Sequence, residues 1–223
     1  MFYKIACFVV RLLLRILTRC RVEGIENVPP TGPFLLAANH LNLVDPPVLG
    51  ALLPRQITFM AKDELFKTPI IGWVVTWYGA FPVRRGQPDR QALRTAAFVL
   101  EKGGVVGMFP EGTRSKTGRL KEALPGAAML AALASAPVLP VALIGTEKLR
   151  SVFSFITRPE ITVRIGKPFN IERDRSRRES LDEATRAMMA RVAALLPEER
   201  RGYYSDAAQK MLESEPSLVK YQG

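Results

Sequence analysis

The sequence contains one histidine and two cysteines among its 223 residues, and each scarcity excludes a class of site. Cys7 and Cys20 both lie near the N-terminus and form no disulfide framework, which is typical of a reducing compartment. Because cysteines and histidines do not cluster, we expect no zinc site, and the sequence predicts no other metal site. Any imidazole chemistry must use the single histidine, His40.

Several signatures of well-known sites are also missing. There is no Gly-x-Ser-x-Gly nucleophile elbow, and the glycine spacing matches neither a P-loop nor a dinucleotide-binding fingerprint. The sequence contains no internal repeat, linker or second domain. Its length suits one α/β domain that is large enough to bury a full core.

Positive charge is in excess. The 32 lysines and arginines against 21 aspartates and glutamates give a net charge of +11, and the pI is near 10.0. Such a balance favours a polyanion or an anionic surface as partner, so nucleic acid and membrane both fit. The aromatic residues are not interleaved with the basic ones as in single-strand binders, so we expect no nucleic acid partner.

Residues 1–20 form the most unusual segment. On a helix, Lys4, Arg11, Arg15 and Arg19 share one narrow stripe and most other positions are apolar. Arginines interrupt the apolar run too early for a membrane span or a signal peptide. The pattern predicts an amphipathic helix in the membrane interface, with its arginines reaching lipid phosphates. The alternative is an N-terminal helix packed on the core.

The rest, residues 21–223, reads as one domain of alternating strands and helices. Its apolar runs predict strands near 22–30, 34–38, 57–60, 79–85, 105–109, 137–144 and 161–165, and its periodicity predicts helices over 69–78, 91–102, 126–134 and 180–196. Trp73 and Trp77 share one helix face, either in the core or at the headgroup level of a membrane. The alternation predicts an α/β fold with a mixed, mostly parallel central sheet flanked by helices. From Pro197 onward we expect a loosely held polar tail.

A candidate catalytic pair lies between the strand at 34–38 and the next helix. His40 follows the strand, and Asp45 precedes Pro46 at the helix start. The turn between them can bring the carboxylate to one imidazole nitrogen and leave the other free to accept a proton. The alternatives are that Asp45 only caps the helix and that His40 is a polar residue at a strand end.

Two basic segments follow other strands. Arg84 and Arg85 end the strand near 79–85, where they either clamp a phosphate or are simply solvated. The loop at 110–119 combines glycines, hydroxyls and arginines, the usual ingredients of a phosphate site, although basic loops are common. Its position after a parallel strand predicts that it lies at the same sheet edge as His40.

These segments resemble the four sequence blocks of the glycerolipid acyltransferases, in particular the 1-acyl-glycerol-3-phosphate acyltransferases. His40 through Asp45 is similar to their His-x-x-x-x-Asp block, and Gly79 to Arg85 to their second block. Phe109 to Ser115 resembles the third, and Val138 to Val141 the fourth. The order and spacing match from Val22 to about Ile165. Two departures are Arg84, where many members carry Asp, and Leu124-Pro125, where a basic pair is commoner.

The resemblance implies a role for each matched residue. His40 is the general base on a lysophospholipid hydroxyl, and Asp45 holds its tautomer. The acceptor's phosphate and glycerol are bound by Arg85, Glu111, Gly112, Thr113 and Arg114, and Pro140 shapes the acyl-donor side. The co-substrate is an acyl thioester of coenzyme A or of acyl carrier protein, with no cofactor. The fold is then glycerophosphate acyltransferase-like.

The chemistry of these residues agrees with that reading. Imidazole titrates near neutral pH, and a thioester is already activated, so no covalent enzyme intermediate is needed. We expect backbone N–H groups of the turn after His40 to stabilise the oxyanion. The expected activity is acylation of lysophosphatidate at the cytoplasmic face of the cell membrane by a peripheral or monotopic enzyme. Glycerol 3-phosphate or another lysophospholipid is the alternative acceptor, and a non-catalytic binder of anionic lipid or nucleic acid is the alternative class.

Overall fold

The computed structural model describes residues 2–84, 89–149, 156–171 and 178–215. The strands are β1 Arg19–Glu23, β2 Phe34–Ala38, β3 Ile57–Lys62, β4 Phe81–Val83, β5 Val105–Met108, β6 Val138–Ile144 and β7 Glu160–Ile165. The α-helices are α1 Phe2–Leu17, α2 Asp45–Leu52, α3 Asp63–Phe66, α4 Pro69–Trp77, α5 Arg90–Glu101, α6 Gly126–Ala134, α7 Arg178–Ala194 and α8 Ser205–Ser214. None of these helices is long and apolar enough to cross a membrane.

The described strands form one sheet in the order β1-β7-β6-β2-β5-β3-β4. Neighbouring strands from β6 to β4 all pair in parallel, and β7 pairs antiparallel with β6. The expected α/β fold with a mixed, mostly parallel sheet is therefore confirmed. Parallel pairing brings the carboxyl ends of β2, β5 and β6 to one edge, where open α/β sheets carry their sites.

Helices cover both faces of the sheet, which explains why the central strands are apolar on both sides. Alternate residues of β2 face opposite layers. Leu36 and Ala38 pack with α1 and α2, whereas Leu35 and Ala37 pack with α5, α6 and α7. All five residues of β2 are buried, so the position at which the chain leaves this strand toward His40 is fixed by packing on both faces.

The N-terminal segment differs from its sequence-based boundaries. α1 ends at Leu17 and the chain enters β1 at Arg19, earlier than the strand expected near Val22. One side of α1 packs inward through Cys7 and Leu14. Arg11, expected to reach lipid phosphates, donates from Nε and Nη2 to the Ala51 carbonyl at 3.0 and 2.6 Å. It therefore binds the carboxyl end of α2 instead.

The prediction of a loosely held tail from Pro197 onward is wrong for residues 197–215, the part of the tail that the structure describes. Two short 3-10 turns lead into α8, which packs on α7. Arg201, Tyr204 and Ala208 are buried there. Tyr204, Ala208 and Leu212 recur every four residues, and this spacing gives the polar-looking segment one apolar face that it can bury.

Candidate active site

His40 and Asp45 meet as the sequence predicted. His40 Nδ1 lies 2.7 Å from Asp45 Oδ2, and both side chains are buried. An ionised carboxylate only accepts hydrogen bonds, so Nδ1 carries the proton and Nε2 is the basic nitrogen. Nε2 forms no hydrogen bond with any residue that the structure describes. The pair therefore has the geometry of an oriented general base.

Asp45 does not act as a helix cap. It is the first residue of α2, Val44 occupies the capping position, and no side chain caps this helix. Instead, Asp45 Oδ2 also accepts the backbone N–H groups of Leu41 and Asn42, each at 2.7 Å. The turn is folded around this one oxygen, which fixes the carboxylate against His40.

These two hydrogen bonds have a consequence for the oxyanion donors expected in this turn. The N–H groups of Leu41 and Asn42 are directed at Asp45 and not at a substrate. The expectation that backbone N–H groups of this turn stabilise the oxyanion therefore fails for the N–H groups of Leu41 and Asn42. The turn uses its donors to hold the orienting carboxylate.

The imidazole ring rests on an aromatic stack. Its centroid lies 4.1 Å from that of Phe109, and Phe109 lies 5.8 Å from Phe59. Phe59 finds room because Gly107, beside it in the sheet, has no side chain; a Cβ there would overlap the Phe59 ring. The stack fixes the plane of the ring, while Asp45 fixes its rotation in that plane.

The loop after β5 holds the backbone of His40 from both sides. The His40 N–H donates to Glu111 Oε1 at 3.0 Å, and the His40 carbonyl accepts the Ser115 N–H at 2.7 Å. Glu111 Oε2 accepts the Lys121 N–H at 3.0 Å. Burial raises the pKa of the Glu111 carboxyl, and the hydrogen bonds from His40 and Lys121 oppose that shift. The loop is thus attached to the peptide that carries the base.

Four residues predicted to bind the acceptor lie in this loop. Glu111 is buried and braces backbone groups, whereas Thr113 and Arg114 are exposed. Gly112 has a φ of +67°, a left-handed conformation that only glycine adopts without strain, and its N–H donates to the Phe109 carbonyl. The turn at Gly112 brings Thr113 and Arg114 to the edge that carries His40.

Sequence reasoning missed Lys121. Its Nζ donates to Thr113 Oγ1 and lies 3.4 Å from the Arg114 carbonyl. It therefore adds an ammonium group beside the exposed arginine. Its only sequence signal was a position in a basic loop, and that position does not show which way the chain turns back.

Two asparagines were missed as well. The Asn39 side chain pairs with both backbone groups of Leu143, at 2.7 and 2.9 Å. Asn42 Nδ2 donates to the carbonyls of Thr146 and Leu149. Both join the His40 turn to the carboxyl end of β6. The available signal was an asparagine on each side of the histidine, next to a buried strand.

Pro140 is not brought to the same place. It lies inside β6, where its ring faces the same layer as Leu195 and its carbonyl accepts the Gly166 N–H. His40 stacks on Phe109, which packs on the opposite layer. The role of Pro140 on the acyl-donor side stays a prediction.

Arg85 lies outside the described residues, so its predicted phosphate contact stays a prediction. Its neighbour Arg84 donates its backbone N–H to Asp89. Within the described part of the chain, no group of three or more histidine, cysteine, aspartate or glutamate residues is arranged to hold a metal ion.

Comparisons with known proteins agree with this geometry. The chain is 35% identical over 157 residues to the chloroplastic 1-acyl-sn-glycerol-3-phosphate acyltransferase of Arabidopsis thaliana, which covers 68% of this chain but 44% of that protein. It is 34% identical over 170 residues to the 1-acyl-sn-glycerol-3-phosphate acyltransferase of Bacillus subtilis, and the match covers 75% of this chain and 82% of that protein. The chain thus spans less than half of the plant enzyme and most of the bacterial one.

A solved structure shares the fold. The 1-acyl-sn-glycerophosphate acyltransferase of Thermotoga maritima superposes with a TM-score of 0.66 and 29% sequence identity, over 82% of this chain and 74% of that one. The family model described as Acyltransferase matches residues 19–144. That range is more than half of the 223 residues and contains His40, Asp45 and the loop that holds them. The chain belongs to the acyltransferase family.

Proposed function

We propose that the protein transfers the acyl group of an acyl thioester to the sn-2 hydroxyl of 1-acyl-sn-glycerol 3-phosphate, giving phosphatidate. The observation that carries the proposal is the His40–Asp45 pair, 2.7 Å apart and attached through the His40 backbone to a basic loop. The names of the relatives from Bacillus subtilis and Arabidopsis thaliana support the acceptor.

The reaction needs one base and no enzyme nucleophile. His40 Nε2 takes the proton of the acceptor hydroxyl as its oxygen attacks the thioester carbonyl carbon. The C–O bond forms, the C–S bond breaks, and the imidazolium returns the proton to the departing thiolate. Asp45 stabilises the imidazolium while it carries the extra proton, because its carboxylate accepts the Nδ1 proton.

The acceptor's phosphate would be bound by the loop beyond Gly112. Arg114 offers a planar, bidentate group for phosphate oxygens, and Lys121 adds a second cation beside Thr113. Because the same loop is attached to His40, binding the phosphate there would set the distance from the acceptor hydroxyl to Nε2. The predicted contribution of Arg85 would come from the end of β4.

A membrane surface is the second part of the proposal. α1 exposes seven large apolar side chains, and its exposed charged residues are Lys4, Arg11 and Arg15. The apolar side chains are Phe2, Ile5, Phe8, Val9, Leu12, Leu13 and Ile16. The surface continues onto α4, where Trp77 stacks on Phe2 at 4.6 Å and Trp73 is 59% exposed. An apolar area of this extent is unusual on a soluble monomer and fits the interfacial region of a bilayer.

Two further features support peripheral attachment at the cytoplasmic face. The net charge of +11 favours anionic lipid. Cys7 and Cys20 are both free thiols, as a reducing compartment requires. Core packing and membrane contact are compatible for α1, because its buried residues and its exposed apolar residues lie on different sides of the helix.

Vesicle flotation tests this surface. Wild type should float with phosphatidylglycerol vesicles more than with phosphatidylcholine vesicles. Leu12→Glu should lower the bound fraction about tenfold, because one buried leucine side chain contributes about 1.5–3 kcal/mol. Leu133→Glu is the matched control, because Leu133 is at least as exposed as Leu12 and lies on α6, on the opposite side of the sheet. Equal loss in both variants would contradict the assignment.

A turnover assay tests the reaction. Wild type and His40→Ala are mixed with lysophosphatidate and an acyl thioester of either coenzyme A or acyl carrier protein, and free thiol and phosphatidate are followed. We expect both products to appear together, with wild type only, and the productive donor to be identified. Thiol without phosphatidate would mean another acceptor or a thioesterase. Neither product, with ligand binding intact, would favour a non-catalytic binder.

A further inference from the structure

The segment Arg200–Tyr204, here called the C-terminal clasp, lies beyond the residues that the family model matches. It nevertheless contacts the loop that holds His40. The Leu120 N–H donates to the Arg200 carbonyl at 3.0 Å, and the Tyr203 N–H donates to the Leu120 carbonyl at 3.1 Å. Leu120 is thus bound on both of its backbone groups and is itself buried.

Side chains of the clasp extend this contact. Tyr204 is buried, and its hydroxyl oxygen accepts the Ala123 N–H at 2.9 Å. Tyr203 is exposed, and its hydroxyl donates to the Glu122 carboxylate at 3.0 Å. The clasp therefore holds Leu120 and Ala123 through their backbone groups, whereas the Tyr203–Glu122 contact is a solvent-exposed hydrogen bond between side chains.

The clasp also reaches the loop after β6. Arg200 Nη2 lies 2.7 Å from Glu147 Oε1, and both groups are largely buried. Burial alone would raise the pKa of the Glu147 carboxyl, but hydrogen bonds from Arg200 and from backbone N–H groups hold it below its ordinary value. The neighbouring Thr146 carbonyl is the acceptor for Asn42. One short segment thus joins both loops that border the His40 turn.

Gly202 makes the close approach possible. Its φ is +51°, in the left-handed region, and a Cβ on it would overlap the Leu120 carbonyl oxygen and backbone nitrogen. Any other residue must therefore push the loop away from the clasp or change the local backbone.

We propose that the C-terminal clasp positions the acceptor-binding loop over His40, with Tyr204 and Gly202 as positioning residues; this rests on the proposed function. Leu120 is followed by Lys121, whose backbone is held by Glu111 and whose Nζ contacts Thr113. A shift at Leu120 therefore passes to the groups that face the acceptor's phosphate. The clasp touches no residue of the His40–Asp45 pair directly, so it acts on acceptor affinity before the chemical step.

The test compares two identical chemical changes, Tyr204→Phe and the control Tyr203→Phe. Tyr204→Phe should raise the KM for lysophosphatidate about three- to tenfold, because the partly buried Ala123 N–H loses its acceptor. The kcat and the KM for the thioester should stay within about twofold. Tyr203→Phe should match wild type in kcat and in both KM values, because the hydrogen bond that it removes is exposed to solvent. A role limited to folding would change kcat through the active fraction and leave both KM values unchanged.

Gly202→Ala provides a stronger variant, and the same selective rise in acceptor KM is expected. Amide hydrogen exchange supplies a readout that needs no substrate: Tyr204→Phe, and not Tyr203→Phe, should speed exchange at Ser115 and Lys121. If wild type is inactive but exchange differs as expected, the proposed function fails and the clasp stands. If both Tyr variants behave alike in KM and in exchange, the clasp proposal is overturned. If Gly202→Ala fails to fold, Tyr204→Phe decides alone.

Discussion

The substitution Asp45→Asn tests whether the negative charge of Asp45 contributes to catalysis by His40, apart from the role of Asp45 in folding the turn. Asp45 Oδ2 accepts three hydrogen bonds, from His40 Nδ1 and the N–H groups of Leu41 and Asn42. The asparagine oxygen must keep this position, because an NH₂ group would face three donors. The NH₂ group then occupies the site of Oδ1, which is buried without a hydrogen-bond partner among the described residues. The turn can therefore keep its shape while it loses its charge.

The expected magnitudes follow from that geometry. The imidazolium formed during proton transfer loses its counter-charge, and orienting carboxylates of this kind are worth about 10²–10⁴ in rate. We expect kcat/KM to fall by at least about a hundredfold, which is about 2.7 kcal/mol of transition-state stabilisation. Stability should fall by about 1–3 kcal/mol, because one buried NH₂ group stays unpaired and charge-assisted hydrogen bonds become neutral ones.

The measurement is steady-state turnover beside urea unfolding of the same preparations. Asp182→Asn is the matched control, since Asp182 is exposed on α7, which packs on the opposite layer. It should change neither quantity. A loss of less than about threefold in Asp45→Asn, in protein that unfolds cooperatively, would refute the reasoning and leave Asp45 a purely structural residue.

Three other substitutions test separate parts of the site. Arg114→Ala should raise the acceptor KM with little change in kcat, because a phosphate contact made in the ground state persists in the transition state; a rise in donor KM alone, by steady-state kinetics, would contradict it. Glu111→Gln tests the raised pKa of Glu111. In the pH range just above the ordinary glutamate value of about 4.3 the folded state binds more protons than the unfolded state, so wild-type stability falls as pH rises there. Unfolding at several pH values should show a weaker fall in the variant. Gly107→Ala should cost about 1–3 kcal/mol in denaturant unfolding, because its Cβ overlaps the Phe59 ring, and a variant as stable as wild type would contradict the packing argument.

The sequence was most informative where residues close in the chain interact. His40 and Asp45 are five residues apart, so a strand end, a turn and a proline-marked helix start were enough to predict their contact. α6 has the predicted bounds, Gly126–Ala134, because a left-handed Ser135 ends it and Pro137 follows. The parallel sheet was predictable because its strands are apolar on both faces.

Contacts between distant residues were not predictable in the same way. Tyr204 and Ala123 are 81 residues apart, and Asn39 and Leu143 are 104 apart. Nothing in the local pattern of either segment names its partner. Arg11 shows a second limit: a stripe on a helix indicates which residues share a side, whereas the packing of α2 decides that this arginine binds Ala51. The C-terminal segment was misread because its charges concealed a four-residue apolar repeat.

α2 connects the proposed membrane surface to the chemistry. Its carboxyl end is held by α1, since Arg11 donates to the Ala51 carbonyl and both Tyr3 and Cys7 donate to that of Gly50. Its first residue is Asp45. Eight residues at about 1.5 Å each separate these two ends by about 12 Å. The helix that would enter the lipid is therefore attached rigidly to the one that carries the orienting carboxylate.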